Sequence, residues 1–266
     1  TKKLHSIGMI NVFALLLGYS IVLAHAAVVF TRREIVDGIA FRKAHIFSAA
    51  EPDRPIYRDK LGIDILFMAD HSQYQAFLEL SRGDSGAAVH YLNTYMTTVF
   101  EQLKSIYGSF HESHSFDLRL AGSFIASRPD DCPMMVSFDE DGDEFTNVTE
   151  GVNVTLAGDF NTEWGNETEM AYTMPSATAL ARLTSWLKVN YDLLPVHDHA
   201  IMLTKFDLLT VAGDSATQGI AYVKQMCRPG DSSSVVEDVG GMATAVIAAH
   251  EMAHSLGAFH DGLEVE

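Results

Sequence analysis

His250-Glu251-Met252-Ala253-His254-Ser255-Leu256-Gly257-Ala258-Phe259-His260-Asp261 is the stretch on which the reading of the whole chain turns. Ala243 to Leu256 is rich in Ala, Val, Ile and Met and contains neither Pro nor Gly, which predicts a helix. His250 and His254, four residues apart, then project from one face and suit adjacent coordination positions of one metal ion. Gly257 tolerates positive φ, so it predicts the end of the helix and a turn that returns His260 as a third ligand. Three neutral imidazoles leave one tetrahedral position open, the arrangement of a catalytic zinc site. Glu251 lies about 100° round the helix from His250, close to the metal without ligating it, where a general base belongs.

The pattern is specific. In a chain with 12 His, HExxH alone arises by chance in roughly 3% of shuffled sequences; adding the downstream Gly and His lowers that to about 1 in 10,000. Incidental histidines on a buried helix are therefore a poor account of the stretch.

Composition narrows the remaining choices. The chain has 266 residues, 47% hydrophobic and 20% charged, which fits a globular domain with a substantial core. Lys and Arg number 18 against 35 Asp and Glu, a net charge of −17, which argues against nucleic acid as a partner. Two cysteines, Cys132 and Cys227, exclude a disulfide-dense miniature scaffold and a four-cysteine zinc ribbon. A bridge between them is one expectation for an oxidising compartment, and pairing of Cys227 with a residue beyond Glu266 is another.

The amino-terminal segment reads as an address. Lys2 and Lys3 precede an apolar run, densest from Val12 to Leu23, and Ala24-His25-Ala26 supplies a small-x-small cleavage site. Residues 1–26 are expected to be a signal peptide, giving a secreted, extracellular protein. The run continues through Val28 and Val29, so an uncleaved anchor that holds the protein at a membrane is the alternative. Three sequons, at Asn147, Asn153 and Asn166, agree with export and predict an exposed, glycosylated loop. That region is also acidic: twelve Asp or Glu and no Lys or Arg lie between Arg128 and Arg182. Asp139-Glu140-Asp141-Gly142-Asp143 is not an EF-hand loop, because its glycine falls at position four rather than six.

Between address and site, strand and helix patterns alternate. Gly62 to Met68 alternates in hydrophobicity as a strand does, and Val89, Leu92, Met96, Val99, Phe100, Leu103, Ile106 and Tyr107 form an amphipathic helical stripe over Ala87 to Tyr107. Phe116 to Ala126 reads as a strand, Ser176 after Pro175 as the cap of a helix, Val196 to Thr204 as a buried strand and Gly219 to Val223 as a short one. The succession predicts an α/β fold with a mixed, mostly parallel, twisted sheet. Residues 27–55 lack strong periodicity and are read as a short leader. Gly83-Asp84-Ser85-Gly86 looks superficially like a serine-protease nucleophile segment, but a polar turn with a helix N-cap explains it better. His111 and His114 have ligand-like spacing without a third ligand nearby, and read as surface.

The zinc stretch resembles the metzincin signature HExxHxxGxxH, and Asp261 after the third histidine is the mark of its adamalysin (reprolysin) branch of metalloendopeptidases. The resemblance extends upstream. Gly62 to Asp70 is similar to the family's first strand, His197-Asp198-His199-Ala200-Ile201-Met202-Leu203-Thr204 to its HDxAxLLT segment, and Gly219-Ile220-Ala221-Tyr222-Val223 with Cys227 to its edge strand. It implies a catalytic domain over residues 56–266, with His250, His254 and His260 holding Zn2+ and Glu251 as general base. It further implies an extended polypeptide substrate bound by addition to the edge strand, drawn from extracellular matrix or plasma proteins as for secreted venom and salivary members. A structural Ca2+ at Asp64 and Asp198 is a further implication. No Met follows Met252, so the methionine turn beneath the zinc has no counterpart, and the domain is expected to be truncated after the third histidine. A non-catalytic, protease-like binding glycoprotein is the alternative function on that ground.

Overall fold

The computed structural model describes residues 27–30, 45–49, 61–109, 116–135, 137–138, 144–145 and 173–261. The expected signal segment, the His111/His114 pair and the sequons at Asn147, Asn153 and Asn166 lie outside them.

In chain order the strands are β1 (Ala27–Phe30), β2 (His45–Ala49), β3 (Leu61–Ala69), β4 (Phe116–Ile125), β5 (Ser137–Phe138), β6 (Glu144–Phe145), β7 (Thr173–Pro175), β8 (His199–Thr204), β9 (Asp207–Leu209), β10 (Gly219–Ala221) and β11 (Ser233–Glu237). The helices are α1 (His71–Leu80), α2 (Ser85–Gly108), α3 (Ser176–Asn190) and α4 (Gly241–Leu256). Seven strands form one sheet in the order β1-β2-β4-β3-β8-β11-β10. Its four central strands run parallel and its outer pairings, β1 with β2, β2 with β4 and β10 with β11, are antiparallel. The sheet is mixed, as the sequence predicts.

Alternation along the central strands explains the layers. In β3, Ile63, Ile65, Phe67 and Ala69 face a core shared with α2 and α4, whereas Leu66 and Met68 face a second core shared with α3. The side-chain period of two divides β8 in the same way, Ile201 and Leu203 to one face and Ala200 and Met202 to the other. A sheet buried on both sides needs apolar residues at nearly every position, which is why the carboxy-terminal half of β3, Ile65 to Ala69, is apolar throughout although the strand begins as an alternation. Trp186 of α3 anchors the second core edge-on against Phe124, with ring centroids 5.0 Å apart. No helix among the described residues is long and apolar enough to cross a membrane.

Several elements differ from the sequence reading, among them β1 in the residues read as a leader and β5 and β6 in the stretch read as a loop. Residues 45–49, assigned to a leader, form β2 and pair antiparallel with β4, from His45 opposite Ile125 to Ser48 opposite Gly122. The strand is short and lies between β1 and β4, held by backbone bonds to both, so it carries little periodicity. Helix α1 follows β3 without a loop: Asp70 closes the strand and caps the helix, accepting from the Gln73 amide at 2.8 Å. Strand β11, whose Ser233-Ser234 start hides it, lies between β8 and β10 and leads into α4. The GDSG segment behaves as the turn it was read to be, with Asp84 capping α2 through the Ala87 amide at 3.0 Å.

Beneath the sheet, His199 is fully buried, its Nδ1 2.9 Å from Ser232 Oγ and its Nε2 3.1 Å from Ser234 Oγ. Burial, helped by neighbouring His197, pushes its pKa down to about 3. The unfolded chain takes up a proton near pH 6.5 that the folded chain refuses, so this group's contribution to stability is lost as pH falls below that value. Between pH 7 and 5 the loss is about 2 kcal/mol. Urea unfolding at the two pH values is expected to show that much less acid sensitivity in His199→Asn than in wild type; equal slopes would acquit His199.

Candidate metal centre

Helix α4 carries the centre, and its buried face sets the orientation. Ala245, Ala248 and Met252 are completely inaccessible against the core with α2 and β3, which turns His250 and His254 to the cleft side. Glu251 falls at the border of the two faces and is only 5% exposed. Gly257 ends the helix at φ 110°, in the left-handed region, and its amide donates to the carbonyls of Ala253 (3.1 Å) and His254 (2.8 Å). The chain then turns back toward the helix.

That turn places His260 where the sequence predicts. The three Nε2 atoms form a nearly equilateral triangle, His250 to His260 3.0 Å, His250 to His254 3.1 Å and His254 to His260 3.1 Å. Three corners of a tetrahedron with Zn–N bonds of 2.0–2.1 Å lie about 3.4 Å apart, so the triangle fits one shared ion to within a few tenths of an ångström. His254 Nδ1 lies 2.8 Å from the carbonyl oxygen of Ala258. A carbonyl only accepts, so Nδ1 carries the proton and the Nε2 lone pair is directed at the centre of the triangle. His250 is held below the ordinary imidazole value, by burial first and by the two neighbouring histidines second. Both effects favour the neutral form that ligates. Among the described residues this is the one group of three or more His, Cys, Asp or Glu side chains with convergent ligand atoms.

Burial raises the Glu251 carboxyl to about 7, with His254 pulling weakly the other way. The shift gives the group a proton affinity matched to neutral water chemistry. Gly219 of β10 lies directly over it: a Cβ at that position would stand 2.7 Å from both Cγ and Oε1 of Glu251. Only a glycine lets the edge strand come so close, a role the sequence reading did not assign. A cleft of about 590 Å³ runs between β10 and α4, bounded by Gly219, Ile220, Val246 and the three histidines. Strand β10 pairs with β11 on one side, leaving its other edge toward the cleft. Asp261 follows His260 at the surface.

Residues 149–265 match the model of the Reprolysin (M12B) family of zinc metalloproteases. Over that stretch the chain is similar to the reprolysin family. It is 38% identical over 98 residues to "A disintegrin and metalloproteinase with thrombospondin motifs like" of Bombyx mori, covering 33% of this chain and 14% of that protein. It is 40% identical over 68 residues to "A disintegrin and metalloproteinase with thrombospondin motifs 6" of Homo sapiens, covering 25% and 6%. It is 35% identical over 114 residues to "Zinc metalloproteinase/disintegrin" of Bitis gabonica, covering 42% and 33%. The chain thus spans a third or less of the length of these relatives.

Of the calcium and disulfide expectations, the first finds no support and the second is corrected. Asp64 and Asp198 do meet, the Asp64 amide donating to Asp198 Oδ2 at 2.8 Å and the Asp198 amide to the Asp64 carbonyl at 2.7 Å. The cation beside Asp64 is Arg119, whose Nε lies 2.8 Å from Oδ1, so a guanidinium occupies the place expected for calcium. Cys132 and Cys227 are both free thiols. Cys132 is sealed in the core shared with α3, its thiol pushed up to about 12 by burial, whereas Cys227 is on the surface.

Gly219→Ala is expected to displace the Glu251 carboxylate while leaving the histidines untouched. Zinc content should stay at the wild-type level and cleavage of a denatured protein substrate should fall at least tenfold; undiminished cleavage would show that β10 does not constrain Glu251.

Proposed function

We propose that the chain is a secreted zinc metalloendopeptidase that cuts internal peptide bonds of extracellular proteins. The observation that carries this reading is the convergence of three Nε2 atoms beside a buried glutamate tuned to about 7. His250, His254 and His260 hold the ion. When bound there, zinc supplies Lewis acidity, polarising a carbonyl oxygen and acidifying water.

The chain's own residues do the rest. The free edge of β10 accepts an extended substrate as an added strand, its backbone amides and carbonyls fixing register along the cleft. Glu251 Oε takes the proton that water loses as it attacks the scissile carbonyl carbon, and passes it to the amine nitrogen as the C–N bond breaks. One water is consumed and two peptides are formed. Its burial raises the carboxyl's proton affinity, which favours its taking the proton from water. Matrix and plasma proteins are the substrate class, in keeping with the signal-like amino terminus. A purely binding role is disfavoured by the intact and tuned Glu251.

Metal content and caseinolysis of the wild-type chain and Glu251→Gln provide the test. Both are expected to bind zinc, with cleavage by the variant lower by on the order of 10²–10⁴-fold. Equal cleavage would remove Glu251 as the base, and a wild-type chain without zinc would overturn the reading.

A further inference from the structure

Helix α4 begins without a side-chain cap of its own, because its N-cap is Gly240. The deficit is met from two residues upstream. Asp238 Oδ1 accepts from the Gly240 amide at 3.1 Å, from Thr244 Oγ1 at 2.7 Å and from the Tyr95 hydroxyl in a very short bond. Its Oδ2 accepts from Gln73 Nε2 at 2.5 Å and pairs with Lys205 Nζ at 3.0 Å. Tyr95 in turn accepts from the Gly241 amide at 3.1 Å. The carboxylate is 3% exposed, and its donors come from α1, α2, the end of β8 and α4. Burial alone would raise its pKa, but the bonds from Tyr95, Gln73 and Thr244 and the Lys205 ammonium outweigh it and hold the group below the ordinary carboxylate value.

From this knot the helix runs unbroken to the metal centre. Thr244 and Glu251 are seven residues apart, close to two full turns, so they share a face. No Gly or Pro intervenes between Thr244 and Glu251 to absorb a rotation. A second tie lies beside the first ligand, where the Tyr107 hydroxyl of α2 donates to the Ala249 carbonyl at 2.9 Å. Rotation of α4 by even part of a turn would swing His250, His254 and Glu251 together, whereas His260, on the following turn, would not move with them.

We propose that Asp238 is a positioning residue for the metal centre: by joining Tyr95 to Thr244 it sets the rotation of α4, and with it the convergence of His250 and His254 on His260. The proposal rests on the reading that these histidines hold zinc. Sequence reasoning had no signal for it, since an Asp before a Gly pair reads as a turn.

The test uses the full chain and variants that remove one hydroxyl each, Tyr95→Phe and Thr244→Val, beside Asp238→Asn. Zinc affinity is read by chelator competition, and kcat and KM on a peptide are read separately. Leu180→Ala, in the core on the opposite face of the sheet, serves as a destabilised control. The positioning role predicts about tenfold weaker zinc binding in Tyr95→Phe and Thr244→Val, a lower kcat at unchanged KM, and wild-type zinc affinity in Leu180→Ala. Wild-type zinc affinity in both hydroxyl variants, or an equal loss in Leu180→Ala, would overturn the proposal even if Asp238→Asn failed to fold. A wild-type chain that binds no zinc would instead overturn the zinc reading, and this proposal with it.

Discussion

The packing of one helix stripe governs everything around the metal centre. Ala245, Ala248 and Met252 lie against the sheet and α2 with no accessible surface, and two of the three are the smallest side chains that still favour a helix. Small residues bring the axis close to the core, and the Asp238 bonds at the start of the helix fix its rotation there. Once that face is buried, the helical period dictates where every other side chain goes: histidines outward to the cleft, Glu251 to the border. The left-handed turn at Gly257 then decides whether two ligands become three.

The electrostatics follow from the same placement. At the border Glu251 loses most of its water without gaining a close cationic side chain, and its proton affinity rises toward neutrality. Asp238, more deeply hydrogen-bonded at the other end of the helix, moves in the opposite direction because four donors and an ammonium reach it. Asp70 lies between these cases. It is wholly buried and raised to about 6 although Gln73, Ser72 and Thr204 donate to it, because no ammonium or guanidinium offsets its burial. Three carboxylates within one layer of the fold thus acquire three proton affinities from their partners.

Much of the fold was legible because both sides of the central sheet are buried. Apolar runs at Gly62 to Met68 and Val196 to Thr204, and the stripe from Val89 to Tyr107, left few other readings. β2 and β11 escaped for a common reason: short strands that depend on neighbours for their hydrogen bonds need no strong pattern of their own. The calcium expectation found no support where Arg119 pairs with Asp64, and the disulfide failed on the burial of Cys132. Each turns on which distant residue lies beside a named one.

The sequence by itself determined the three converging histidines, the neighbouring Glu251 and the helix that holds them, because a helical spacing of four and a glycine stop are local properties of a dozen residues. Tertiary structure alone decided that Gly219 presses on Glu251, that Arg119 answers Asp64, and that Asp238 gathers donors from four elements. Those contacts join residues up to 165 positions apart, and no local pattern encodes a partner that only the closed sheet brings near.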